Sequence, residues 1–314
     1  MDRNLALEFV RVTEAAAIAA AKLMGKGDKI AADQAAVDEM RSRFNVIDFK
    51  GEVVIGEGDK DEAPLLFIGE KIGSGSGPEV DIAVDPLECT SNLANGKPNA
   101  ISVLAAGPKG SLLKAPGTYM DQISVGQAAR GAININAPVK DNIKAVADAL
   151  KKPIDEVTVI VLDRPRHKQL IEDIRKAGAR INLIEHGTVS AGIAPCLEES
   201  PVDMMIGIGG APEAVITAAA VKSMGGDIEA VLKPHNDQFK QQAVDMGFTD
   251  LERVFRIDDL AKGDKVMFAA TGISTGPLLN GITFTSYGAI THSIVMRSKT
   301  GTIRHIETKH HLGK

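Results

Sequence analysis

The chain has 314 residues, 44% apolar, 25% charged and 4% aromatic, with 36 basic against 41 acidic side chains for a formal net charge of −5. At roughly 100–200 residues per domain, this length allows two domains or one large layered one, and either can bury a sizeable core. Mild acidity, the lack of any Lys/Arg run and scarce aromatics argue against nucleic acid as a partner, and no apolar run approaches the roughly 20 residues that cross a bilayer. Two cysteines, Cys89 and Cys196, make neither a disulfide framework nor a thiolate metal site. The expectation is a cytoplasmic protein with no nucleic-acid or membrane partner.

In chain order, Leu5, Phe9, Val12, Ala16, Ala20 and Leu23 recur at helical spacing, and Gly25 and Gly27 end the stripe. A second helical stripe follows, Ile30, Asp33, Val37, Met40 and Phe44, with an aspartate on its apolar line. Short β-rich runs then appear at 53–55, 65–68, 80–84 and 100–105, punctuated by Gly and Pro. From about residue 138, apolar runs at 157–162, 181–184, 204–208, 228–232 and 266–270 alternate with helical stretches, which predicts buried parallel strands with crossover helices. Strand-like alternation returns over 282–308. A soft boundary near 135 is expected between halves that interlock as stacked layers: residues 1–135, carrying an acidic cluster, and residues 136–314, carrying anion contacts.

Three acidic features mark the first half. Residues 53–62 read as a strand emptying into a glycine-hinged loop with Glu57, Asp59, Asp61 and Glu62. Residues 81–90 read as a second strand ending in Asp85 and Glu88, and Asp33 is the third feature. Carboxylates at strand ends, joined by one from a helix, suit hard divalent cations such as Mg²⁺ or Mn²⁺, which take oxygen ligands. A solvated acidic turn explains residues 57–62 equally well. An aspartate facing a core needs a cation or a paired charge, and Lys29, one turn earlier, could supply the charge instead.

The second half offers anion sites where strands run into helices. Gly209, Gly210, Ala211, Pro212 and Glu213 follow one strand, with glycine amides free to face a phosphate. The glycine spacing is not a dinucleotide fingerprint. Asp163, Arg164, Pro165, Arg166 and His167 follow another strand and put three potentially cationic side chains where a helix dipole favours anions. Solvated arginines, or pairing with Asp163, are the bland alternative. Glu185, His186, Gly187 and Thr188 follow a third, with Thr188 suited to an N-cap. His292 reads as a core histidine, and His305, His310 and His311 are too loosely spaced for a metal site.

These motifs, in this order, resemble those of the class II, GlpX-type fructose-1,6-bisphosphatase family along essentially the whole chain. The likeness rests on Gly25-Lys26-Gly27-Asp28-Lys29 with Ala32-Asp33-Gln34, on Val54-Ile55-Gly56-Glu57-Gly58 with Asp61-Glu62-Ala63-Pro64, and on the run from Asp81 to Glu88. Asp163 to His167, Gly209 to Glu213 and Thr291-His292-Ser293 with Met296-Arg297 complete it. The resemblance implies the layered α/β sandwich of the lithium-sensitive, metal-dependent phosphatase superfamily, and hydrolysis of the 1-phosphate of fructose 1,6-bisphosphate in gluconeogenesis. It implies Mn²⁺ or Mg²⁺, two or more ions per site, on Asp33, Glu57, Asp85 and Glu88. It implies substrate contacts at Glu88, Cys89, Thr90, Tyr119, Arg164, Pro165, Arg166, His186, Gly187, Thr188, Gly210 and Glu213, with the Gly209 amide beside them.

Asp61 and Thr90 are the candidates for orienting and deprotonating the attacking water, with Glu57 shared between ligand and base roles and Lys29 balancing the cluster's charge. A homo-oligomer, dimer or tetramer, is expected. The alternatives are a related phosphatase acting on sedoheptulose 1,7-bisphosphate, an inositol phosphate or a nucleotide 3′-phosphate, or a non-catalytic sugar-phosphate binder. Two positions depart from the pattern: Cys89 stands where the superfamily usually has glycine, and Thr188 where the family commonly has aspartate.

Overall fold

The computed structural model describes residues 5–58 and 64–311. The helices are α1 (Leu5–Ala21), α2 (Lys29–Phe44), α3 (Thr90–Ala94), α4 (Val139–Leu150), α5 (Lys168–Ala177), α6 (Thr188–Ile193), α7 (Ala211–Ser223), α8 (Asp237–Asp245) and α9 (Ile257–Leu260). The strands are β1 (Lys50–Ile55), β2 (Lys71–Ile72), β3 (Glu79–Glu88), β4 (Ile101–Pro108), β5 (Tyr119–Val125), β6 (Thr158–Leu162) and β7 (Arg180–Ile184), then β8 (Met204–Gly210), β9 (Asp227–Leu232), β10 (Phe255–Arg256), β11 (Met267–Gly272), β12 (Thr283–Thr285), β13 (Gly288–Arg297) and β14 (Thr302–His311). They form a mixed α/β fold with two sheets.

The chain divides into two compact units, one of residues 1–112 and 263–314, the other of residues 113–262. The expected boundary near 135 falls inside the second unit, beyond β5.

The first unit is built on an eight-stranded sheet in the order β12-β13-β11-β4-β3-β1-β2, with β14 paired to β13. Only β1 and β3 run parallel; the other pairings are antiparallel. Helix α1 follows the predicted stripe, burying Phe9, Val12, Ala16 and Ala20 against the sheet. The second helix shifts its buried line to Ala32, Ala36, Val37, Met40 and Phe44, which leaves Ile30 74% exposed and Asp33 at the edge of the core. Phe9 and Phe44 both meet Phe49 edge-on at the start of β1. Thr13, Thr271 and Ser293 form a buried hydroxyl chain with two 2.8 Å links, which pairs these three polar groups inside the core.

Two expected strands are corrected here. The 65–68 run is a turn: Leu66 takes φ 55°, its N–H donates to the Glu70 carboxylate, and its carbonyl accepts from the Glu57 N–H at 3.1 Å. The 266–270 run becomes β11, which lies between β4 and β13 in this antiparallel sheet and not among the parallel strands of the second unit. An apolar run fully buried on both faces reads the same in either sheet type.

The second unit holds a six-stranded sheet, β10-β9-β5-β8-β6-β7. The pairs β6/β7 and β6/β8 are parallel, whereas β5 is antiparallel to both β8 and β9. Consequently β6, β7, β8 and β9 all run one way and end along one edge, where β5 begins. Ile143, Val146, Ile171 and Ile174 of α4 and α5 cover one face over Val159, Val161 and Ile206. Ala191 of α6 packs with Ile160 and Met205. Edge strand β7 is largely exposed, against the expectation of full burial.

Candidate active site

In the first unit the acidic residues gather at one end of β1 and β3. The parallel register pairs Ile55 with Ala83, so Glu57 and Asp85, each two residues further on, lie at the same level of neighbouring strands. Gly56 makes the approach possible, because a Cβ there would stand 1.9 Å from the Leu66 carbonyl oxygen. Asp33, on α2, is hydrogen-bonded through its side chain to Glu57. Its partner is therefore a second carboxylate and not Lys29, which is exposed at the first position of α2.

Two carboxylates in contact cannot both ionise cheaply. Burial pushes Glu57 up to about 7, helped by the Asp33 charge and by the hydrogen bond between them. Burial also raises Asp33, opposed by its bond to Glu57. Both shifts favour keeping a proton on the pair, and an oxygen-only donor set is of the kind that hard divalent ions take. Asp33, Glu57, Asp85 and Glu88 fit such an ion in chemistry. Among the described residues, however, no three His, Cys, Asp or Glu side chains are closed round one metal position.

At the end of β3 the backbone is irregular between Asp85 and Glu88. The Asp85 carboxylate accepts from the Leu87 N–H at 3.1 Å, Glu88 is buried, and the Thr90 hydroxyl donates to the Leu87 carbonyl at 3.0 Å. The Thr90 proton is thereby committed, and the oxygen's lone pairs remain as acceptors. Cys89 takes φ 70°, ψ 41°, in the left-handed region. Its departure from glycine is carried as backbone strain of roughly 1–2 kcal/mol, while its side chain packs in the core. Asp61 lies outside the described residues.

In the second unit, the edge where four strands end gathers the remaining candidates. Tyr119 begins β5 opposite Gly210, and Gly209 and Gly210 are the last residues of β8, not a free glycine loop. A Cβ on Gly209 would meet Thr188 Cγ2 at 2.8 Å, and one on Gly210 would meet the Glu213 carboxylate at 1.7 Å. At Gly209 the Thr188 side chain leaves no room for a Cβ, whereas at Gly210 the contact is with the flexible end of Glu213. The arginines flank Pro165: Arg164 Nη2 lies 3.2 and 3.3 Å from the two His186 ring nitrogens. Arg166 donates to the Ile208 carbonyl at 2.8 Å and sits 4.8 Å over the Tyr119 ring.

Two expectations change. His167 is not a third cation: it is 1% exposed, its Nδ1 lies 2.8 Å from the Leu162 carbonyl, and its Nε2 accepts from the Ile208 N–H at 2.7 Å. Burial pushes its pKa down, reinforced by the Arg166 and Arg164 charges. A neutral imidazole thus ties β8 to the end of β6. The cap of α6 is Gly187, at φ 102°, and Thr188 is the first helical residue. His292 is half-buried on β13, opposite Glu307, and not a core residue.

The sequence reading passed over Asp121, Lys233 and His235, which share this edge. The backbone N–H of Lys233 donates to the Tyr119 carbonyl at 2.9 Å, and burial raises Asp121, opposed chiefly by the Lys233 charge. Their signal was the same strand-to-helix junction as elsewhere, Lys233-Pro234-His235-Asn236 after β9, but without a glycine or arginine motif to mark it.

A family model described as "Bacterial fructose-1,6-bisphosphatase, glpX-encoded" matches residues 3–310. The chain belongs to this family. A relative from Escherichia coli K12, "Fructose-1,6-bisphosphatase 1 class 2", is 44% identical over 327 aligned residues that cover 100% of this chain and 97% of the relative. "Fructose-1,6-bisphosphatase class 2" of Shigella flexneri is similar to the same extent, at 44% identity with 100% and 97% coverage.

Two outcomes are expected from this geometry. Unfolded Glu57 loses its proton near 4.5 and the folded residue near 7, so between these values the folded state binds more protons and stability falls as pH rises. Thermal melting of chelator-treated protein should drop across that window, and Glu57→Gln should flatten the dependence; a wild-type slope of the opposite sign would contradict the coupled pair. Cys89→Gly relieves the left-handed strain and loses a small packed side chain. It should leave turnover and melting temperature close to wild type, which steady-state assays and calorimetry will check.

Proposed function

We propose that the chain hydrolyses the 1-phosphate of D-fructose 1,6-bisphosphate, yielding fructose 6-phosphate and inorganic phosphate, in the gluconeogenic direction. Hydrolysis of fructose 1,6-bisphosphate is the activity of the family to which the chain belongs. The observation that carries the residue-level reading is the half-buried pair of Asp33, on α2, and Glu57, which follows β1 next to the strand that carries Asp85.

When bound, a divalent cation supplies neutralisation of the phosphoryl oxygens and a lowered pKa for the attacking water. Asp33, Glu57, Asp85 and Glu88 are the residues that would hold it, with Mn²⁺ or Mg²⁺ as the ion, two or more per site. The Thr90 oxygen, its proton committed to Leu87, accepts from the water and aims a lone pair of the water oxygen at phosphorus. As the new P–O bond forms, the bond from phosphorus to the sugar's C1 oxygen breaks, and that oxygen takes up a proton. Asp61 and Glu57 remain the candidate bases, and Lys29 the balancing charge.

The distal 6-phosphate is assigned to Arg164, Arg166 and the edge formed by Gly209 and Gly210, with Tyr119, His186, Gly187, Thr188 and Glu213 against the sugar. Pro165 fixes the turn that carries the arginines. We read the protein as a homo-oligomer. Among the described residues no helix is long and apolar enough to cross a membrane.

Asp85→Asn should lower turnover by orders of magnitude with folding intact, and chelator should abolish wild-type activity until Mn²⁺ or Mg²⁺ is restored. Undiminished turnover of metal-free enzyme would sink the metal reading. Arg166→Ala should raise KM for the bisphosphate by roughly ten- to hundredfold, since a hydrogen bond to a charged group is worth about 1.5–3 kcal/mol. A simple phosphate monoester should be affected far less, and equal losses on both substrates would place Arg166 at the reacting end. Thr90→Ala should reduce kcat much more than KM, and Thr90→Ser should retain most of the rate.

A further inference from the structure

The edge of the second unit carries a cluster of tilted, touching rings that core packing does not explain. Tyr119 lies 5.1 Å from the His235 ring, centroid to centroid, and His235 lies 4.1 Å from Phe239. His235 is exposed and Tyr119 half-buried. Helix α8, which brings Phe239, has Ala243 as its buried residue. Little apolar surface leaves water here, yet four side chains, Arg166 included, are held in one arrangement. Holding them costs rotamer freedom that burial does not offset.

The backbone fixes this arrangement from both sides. Met120 pairs with Leu232 and with Gly209, so the start of β5 is clamped between the ends of β9 and β8. The chain then turns through Pro234, and Asn236 caps α8 by accepting from the Phe239 N–H at 3.0 Å. His235, between the proline and the cap, is delivered against Tyr119. Arg166 needs such support. It is exposed, it is anchored by its bond to the Ile208 carbonyl, and its guanidinium lies over the Tyr119 ring, where a cation is attracted to the π face.

We infer that His235 is a positioning residue for the distal-phosphate contact, holding Tyr119 and through it the Arg166 guanidinium. The inference rests on the reading that Arg166 contacts the 6-phosphate. Because His235 acts through Arg166, its effect falls on substrate affinity. An aromatic ring in contact with Tyr119 and Phe239 is what the position requires, so phenylalanine can replace the imidazole.

The test is steady-state kinetics of the full chain with fructose 1,6-bisphosphate and Mn²⁺, using His235→Ala, His235→Phe, Arg166→Ala and the Ala/Ala double variant. His235→Ala should raise KM about two- to tenfold, the size of a lost aromatic pair, with kcat unchanged, and His235→Phe should restore KM. In the double variant, KM should match that of Arg166→Ala alone, because a residue acting through Arg166 has nothing left to act on. The inference is overturned, with the distal-phosphate reading intact, if Arg166→Ala raises KM while His235→Ala leaves it unchanged or adds in full. If Arg166→Ala leaves KM unchanged, both fall together.

Discussion

Everything at the acidic site depends on two carboxylates forced together away from water. Asp33 and Glu57 come from a helix and a strand end, and each on its own would be an unremarkable partly exposed acid. Their contact, with burial, makes the doubly ionised state expensive and pushes Glu57 up to about 7. Such a pair is relieved in only two ways, by a shared proton or by a cation. The surrounding structure works to keep the strain in place. Gly56 leaves room for the Leu66 turn, the β1/β3 register sets Asp85 level with Glu57, and the irregular end of β3 turns Glu88 inward.

The second unit gathers arginine side chains and strand-to-helix junctions on one edge, which is where the proposal puts the distal phosphate. Here the organising element is direction. Four strands ending on one edge place four strand-to-helix junctions side by side, the arrangement by which open α/β sheets commonly build ligand sites. His167 shows how such an edge is kept rigid without adding charge: a buried neutral imidazole bridges Leu162 and Ile208 beside Arg164 and Arg166. A protonated His167 would lose its acceptor for the Ile208 N–H and crowd two guanidinium groups.

Much of this was legible in the residues. Helical stripes mark α1 and α2, and apolar runs mark β6, β8 and β9. What was hidden depended on pairing. The 266–270 run carries no mark of which sheet it joins, because burial on both faces erases the alternation that separates the cases. The 65–68 run was misread because Leu66 adopts a positive φ that its side chain does not advertise and that a distant carboxylate, Glu70, supports. The helical stripe puts Asp33 on the apolar line, whereas the buried line of α2 runs beside it and its partner is Glu57, a contact between residues 24 positions apart that no local pattern encodes. Lys233 and His235 were overlooked because their junction has no motif, only a place on the shared edge.

The central claim is that the carboxylate pair exists to hold a divalent cation, and direct binding tests it without reference to turnover. Calorimetric titration of the chelator-treated full chain with Mn²⁺ should show saturable binding, weakened at least tenfold in Glu57→Gln and in Asp33→Asn with folding intact. Wild-type protein that binds no Mn²⁺ or Mg²⁺ at millimolar concentration, or variants that bind as tightly as wild type, would contradict the account.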